Sequence, residues 1–116
     1  MKRALLVLAL VACSKKQEPP APEPPAPAMP AEEIQRDGDA CKAYVDKVCA
    51  CADKIEAAKQ PCELARALPD AVRIGLEVAA SPDSKRQDVL AAQQSVRKTA
   101  KECIEELAKL PALGCP

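Results

Sequence analysis

The sequence predicts an all-α fold, a small disulfide-stapled antiparallel bundle of three to four helices behind a proline-rich disordered linker. Three observations carry that reading. From Glu33 onward the apolar residues recur at helical spacing, with almost no strand-like alternation. Six cysteines, Cys41, Cys49, Cys51, Cys62, Cys103 and Cys115, fall within the same stretch. There is no Phe and no Trp, and Tyr44 is the only aromatic residue, so the core is left to Ala, Leu, Val and Ile. A domain this small with so thin a core commonly needs covalent staples.

Each helix has its own signals. Asp37-Gly38-Asp39 reads as a turn, with Asp39 capping a first helix that runs to about Lys59. Cys41, Tyr44, Val45, Val48, Cys51, Ala52 and Ile55 follow the three-to-four spacing of one buried stripe along it. Gln60-Pro61 closes that helix and opens a short one, because proline is tolerated in a first turn. Pro69 then disfavours helical geometry at Leu68, so a further helix from Pro69 to about Ala79 is kinked or separated from its predecessor. Val72, Leu76 and Ala79 line its inner face, and Gly75 reads as a point of close packing. Ser81-Pro82-Asp83 offers a cap, a proline for the first helical position and a carboxylate for the helix dipole. The last helix should run from there to about Leu110, where Pro111 and Gly114 end it. Val89, Ala92, Val96, Ala100, Cys103, Leu107 and Leu110 form its inward stripe, leaving Gln93, Gln94, Arg97, Lys98 and Lys101 mainly outside.

The chain ahead of these helices divides in two. Residues 1–12 carry Lys2 and Arg3 and then an unbroken apolar run from Ala4 to Ala12. A basic start, a short apolar core and a small residue at the cleavage point define a secretory signal peptide. Nine apolar residues span only about 13 Å as a helix, against a hydrocarbon core of about 30 Å, so the run is too short to cross a bilayer. Residues 13–32 read as a tether. Seven of the twelve residues from Pro19 to Pro30 are proline, which favours an extended polyproline II form. The reading is a semi-rigid spacer, taken over a docking stretch for a proline-recognition module. Residues 33–116 form the helical, cysteine-rich domain.

Leu10-Val11-Ala12-Cys13 resembles the lipobox of bacterial lipoproteins, in which the cysteine becomes the first residue of the mature chain. The resemblance covers these thirteen residues only. It implies cleavage before Cys13, a lipid on its sulfur, and a protein anchored to a bacterial membrane outside the cytoplasm. By the same resemblance, Ser14 after the cysteine favours the outer membrane, with the domain facing the periplasm or the cell surface. Lys15 and Lys16 lie where they would meet anionic head groups, a small effect beside acyl chains.

Export also decides how the six remaining cysteines are read. An even set in an oxidising compartment is three disulfides, whereas the same set in the cytosol would suggest metal. Connectivity does not follow from sequence. Cys49 and Cys51 diverge by about 200° around a helix, so they face different neighbours. If the first and last helices run antiparallel, matching heights favour Cys51–Cys62, Cys49–Cys103 and Cys41–Cys115, with Cys49 and Cys51 interchangeable. That nested order is similar to the saposins, but the spacings depart from that family and its lipid-binding function is not carried over.

Function is bounded mostly by exclusion. Removing residues 1–12 leaves acidic residues two in excess over basic ones, which gives no polybasic surface for nucleic acid. Without histidine there is no Ser-His-Asp triad and no His-ligated zinc or haem. The three glycines, Gly38, Gly75 and Gly114, make no phosphate loop. Glu102, Glu105 and Glu106 beside Lys101 and Lys109 read as a solvated, ion-paired face. The expectation is a non-enzymatic binding or structural module of the envelope, displayed on a stalk, with no catalytic residue, metal or cofactor. Two rivals share the scaffold. One is a periplasmic thiol-redox or copper-binding protein using Cys49 and Cys51, and the other is an inhibitor of an envelope enzyme.

Overall fold

The computed structural model describes residues 18–116, so Cys13 and the leader lie outside the described residues. Helix α1 spans Ala31–Ala52, α2 Lys59–Ala65, α3 Leu68–Ala80 and α4 Arg86–Leu113, with a single 3₁₀ turn at Glu56–Ala58 before α2. Among the described residues there is no strand, and no helix is long and apolar enough to cross a membrane.

Helix α1 starts earlier and ends earlier than its sequence signals suggest. Pro30 (φ −58°, ψ 140°) precedes it, and the Pro30 carbonyl accepts the Ile34 amide at 3.1 Å. Glu32 and Glu33 lie in the first turn, where carboxylates oppose the positive end of the dipole. Asp37-Gly38-Asp39 is helical and not a turn. A mid-helix glycine costs only about 0.5–1 kcal/mol, and Asp37 continues the buried stripe through Cys41, Tyr44, Val48 and Cys51. At the other end, Lys54 and Ile55 both direct their amides to the Cys51 carbonyl, at 3.0 and 2.9 Å. Ile55 then turns extended (φ −117°, ψ 112°), which ends the helix well short of Lys59.

The break between α2 and α3 falls where proline placed it, at Arg66–Ala67, although Leu68 opens α3 instead of standing outside it. Ser81-Pro82-Asp83 is a connecting turn and does not start α4. The Ser81 hydroxyl accepts the Asp83 amide at 3.3 Å, and the Ser84 hydroxyl donates to the Val78 carbonyl at 2.8 Å, closing the end of α3. Pro111 does not end α4 either. The helix continues to Leu113 and stops at Gly114, whose φ of +98° is in the left-handed region. Cys115 donates its amide to the Leu110 carbonyl (3.0 Å) and Gly114 donates to that of Pro111 (3.1 Å). These two bonds are a Schellman motif, and they fold buried Cys115 back over buried Leu110.

Helix direction departs from the antiparallel assumption at one place. Helix α2 is a corner and not a leg, so α1, α3 and α4 run up, down and up, and α1 and α4 lie parallel. Cys41 meets Cys103 and Cys51 meets Cys115, at sequence separations of 62 and 64. Glu33 meets Arg97 in the same register. Helix α4 packs on both α1 and α3. The approach to α3 is tight at Gly75, where a Cβ would come within 2.6 Å of Val96 Cγ2. The core they enclose is built largely from Cys, Ala and Val around Tyr44.

Candidate functional site

Among the described residues all six domain cysteines are paired. Cys41–Cys103 joins α1 to α4, Cys49–Cys62 joins α1 to α2, and Cys51–Cys115 ties α1 to the C-terminal tail. The nested order therefore fails for the long bridges: Cys41 takes Cys103, and Cys115 goes to Cys51. Parallel α1 and α4 are the reason, since pairs along them advance together instead of nesting. The Cys49–Cys62 pairing is the one that exchanging Cys49 and Cys51 would give.

Cys49 and Cys51 diverge as their spacing requires and bond to different elements. Beside Cys51 lies a cavity of about 270 Å³ lined by Lys47, Ala50, Lys54, Ile55, Gly114 and Pro116 as well as the cystine. Glu105 pairs with Lys101 at 3.7 Å and Glu106 with Lys109 at 2.6 Å, while Glu102 is exposed.

Tyr44 is buried, and its phenol forms part of the wall of grooves shared with Pro61, Leu64, Leu68, Glu102 and Glu106. Burial raises its pKa above the ordinary value near 10, and the charges of Glu106 and Glu102 add to the shift. As the only tyrosine, it gives an unambiguous ultraviolet titration. The tyrosinate transition should lie above about pH 10 and move down in Glu106→Gln. The sign for stability follows: the neutral phenol's contribution is complete below the unfolded pKa and is lost as pH rises through the folded one. A transition at the free-tyrosine value would contradict the buried placement.

The other polar feature lies where the tether meets the bundle. Arg86, Leu90, Gln93 and Arg97 follow one another at four, three and four residues on α4, a single helical face. Arg86 Nη1 donates to the Pro24 and Pro25 carbonyls at 3.0 and 3.2 Å. Gln93 Nε2 donates to the Pro27 carbonyl at 2.7 Å. Met29 is buried in the core cluster. Next in line, Arg97 grips both carboxylate oxygens of Glu33, and that hydrogen bond holds the Glu33 carboxyl below its usual range. Close by along α1, the Asp37 side chain is 5% exposed and leans on Arg36 at 3.4 Å. Its Oδ2 has no hydrogen-bond partner.

Sequence reasoning missed these residues. Gln93 was placed outside the inward stripe, yet it is 3% exposed, because its partner comes from a segment read as free spacer. The available signal was Met29, a large apolar side chain inside an otherwise proline, alanine and glutamate stretch. Leaving a buried amide such as Gln93 unpaired would cost about 1–3 kcal/mol, so the Pro27 contact is part of the fold.

Comparison with models of known protein families, with curated proteins and with solved structures finds no match to this chain.

Proposed function

We propose that this protein is a lipid-anchored module of the bacterial envelope, exported, held to the membrane through Cys13, and working by binding or spacing and not by catalysis. The observation that carries the reading is the pairing of the domain's six cysteines into three bridges, with only Cys13 left over. Such an arrangement suits an oxidising compartment, which is where a chain with the leader Met1–Ala12 would be delivered. The odd cysteine is then the one in the lipobox-like position. A thioether lipid with two or more chains holds without help from the protein, since one chain alone binds only reversibly.

The test is Cys13→Ala in a bacterial host fed an alkyne-labelled fatty acid. The unaltered chain should take up label and enter the detergent phase on Triton X-114 partition. The variant should lose label completely and stay aqueous. Label retained on Cys13→Ala would overturn the anchor.

A further inference from the structure

We propose that the α3/α4 face is a binding site for a polyproline strand, whose resident ligand is this chain's own Pro24–Met29 segment. The stalk is then a strap clipped to the domain over Pro24–Met29.

The chemistry of the two surfaces matches. A proline has no amide proton, so a strand with prolines at 24, 25, 27 and 30 offers mainly carbonyl oxygens. On the α4 face the Arg86 guanidinium and the Gln93 amide nitrogen supply the donors, and both are directed at those carbonyls. The spacing matches as well. Arg86 to Gln93 is about 10.5 Å along a helix, and Pro24 to Pro27 is about 9.3 Å along polyproline II. Contacts therefore advance in register, Pro24 and Pro25 at Arg86, Pro27 at Gln93, Glu33 at Arg97. Met29 seats the strand beside Ile34, Leu76 and Ala79. Gln93 at 3% exposure is the anchor residue, because such a buried amide needs a fixed partner.

Docking shortens the stalk. This consequence rests on Cys13 being the anchor; the docking itself does not. From Cys13 to Pro24 there are about eleven residue steps, a reach of at most about 40 Å at full extension. Released to Pro30, the reach would be about 60 Å. A strapped domain is therefore held nearer the membrane than a released one.

The experiment uses the full-length, oxidised Cys13→Ala chain, so lipid plays no part in it and the anchor reading is not at stake. The readout is the Gln93 side-chain amide in ¹⁵N-labelled protein. In the native strap its protons should exchange with solvent slowly, and the synthetic peptide Pro-Glu-Pro-Pro-Ala-Pro-Ala-Met-Pro, residues 22–30, should shift nothing. In Met29→Asp the strand should leave, and exchange at Gln93 should speed up about tenfold or more. The peptide at millimolar concentration should then move the Gln93 signal back, and adding Arg86→Ala should abolish that response. If Met29→Asp loses its helical circular dichroism, glycine at 24, 25 and 27 loosens the strand without touching the core. A Gln93 amide that exchanges freely in the native chain would overturn the proposal, as would an emptied site indifferent to the peptide. A dimeric mass with Gln93 protected would mean that the strand comes from a second copy and would overturn docking in cis.

Discussion

Reducing the three bridges should unfold the domain at room temperature while leaving a fraction of its helix. The loops closed by Cys41–Cys103 and Cys51–Cys115 span 62 and 64 residues, each worth about 4 kcal/mol in the chain-entropy treatment. Cys49–Cys62 closes only 13, worth about 3 kcal/mol. Together they rival the 5–15 kcal/mol net stability of a typical domain. The rest of the core offers little to offset them. Val48, Val96, Cys41, Cys103 and Cys115 are the largest fully buried side chains, so three of those five positions lose their packing when the bridges open. Removing Cys41–Cys103 as a pair of alanines should cost most, because both sulfurs are fully buried and a cavity is left. Its melting temperature should drop by about 15–30 °C, and loss of Cys49–Cys62 should cost least. Residual helix should come mainly from α4, whose 28 residues exceed the length below which isolated helices are marginal. Circular dichroism melts with and without reductant make the measurement. An unchanged melt with six free domain thiols counted would show that the aliphatic core suffices.

The buried stripes of α1 and α4 were legible because period and polarity coincide there. Cys41, Tyr44, Val48 and Cys51, and Val96, Ala100, Cys103 and Leu110, are all buried as their spacing implies. Gly75 was legible for a similar reason, since a glycine inside an apolar helix has little purpose but close approach. Direction was not legible. Counting α2 as a leg makes α1 and α4 antiparallel, but seven residues reach only about 10 Å, enough for a corner and no more. The long disulfides follow the parallel direction instead, Cys41 to Cys103 and Cys51 to Cys115. Helix ends were misread wherever a local signal competed with a longer-range one. Asp37-Gly38-Asp39 has turn composition, yet its stripe position on α1 prevails, and Pro111 yields to the Gly114 stop three residues on. Gln93 was not legible because its burial depends on the tether and not on its own helix.

The two helix-interior glycines should respond to alanine with opposite signs. At Gly38 an added Cβ meets nothing within 4 Å, so Gly38→Ala gains helix propensity and stiffens the unfolded chain, about 0.5–1 kcal/mol in favour of the fold. At Gly75 the same methyl lies 2.6 Å from Val96 Cγ2 and 3.6 Å from the Ala92 carbonyl. Val96 is 1% exposed, and a β-branched side chain has little rotamer freedom with which to yield. The α3–α4 spacing must widen instead, and overpacking of that kind costs about 1–3 kcal/mol. Gly75→Ala should therefore lower the melting temperature by about 4–20 °C, while Gly38→Ala raises it by a few degrees. Gly75→Leu should be worse than Gly75→Ala. Val96→Ala removes the clashing methyl, so the double variant Gly75→Ala, Val96→Ala should be more stable than the sum of the single losses allows, a coupling readable from a double-mutant cycle. If Gly75→Ala raises the melting temperature as Gly38→Ala does, then α3 and α4 do not approach each other through this glycine.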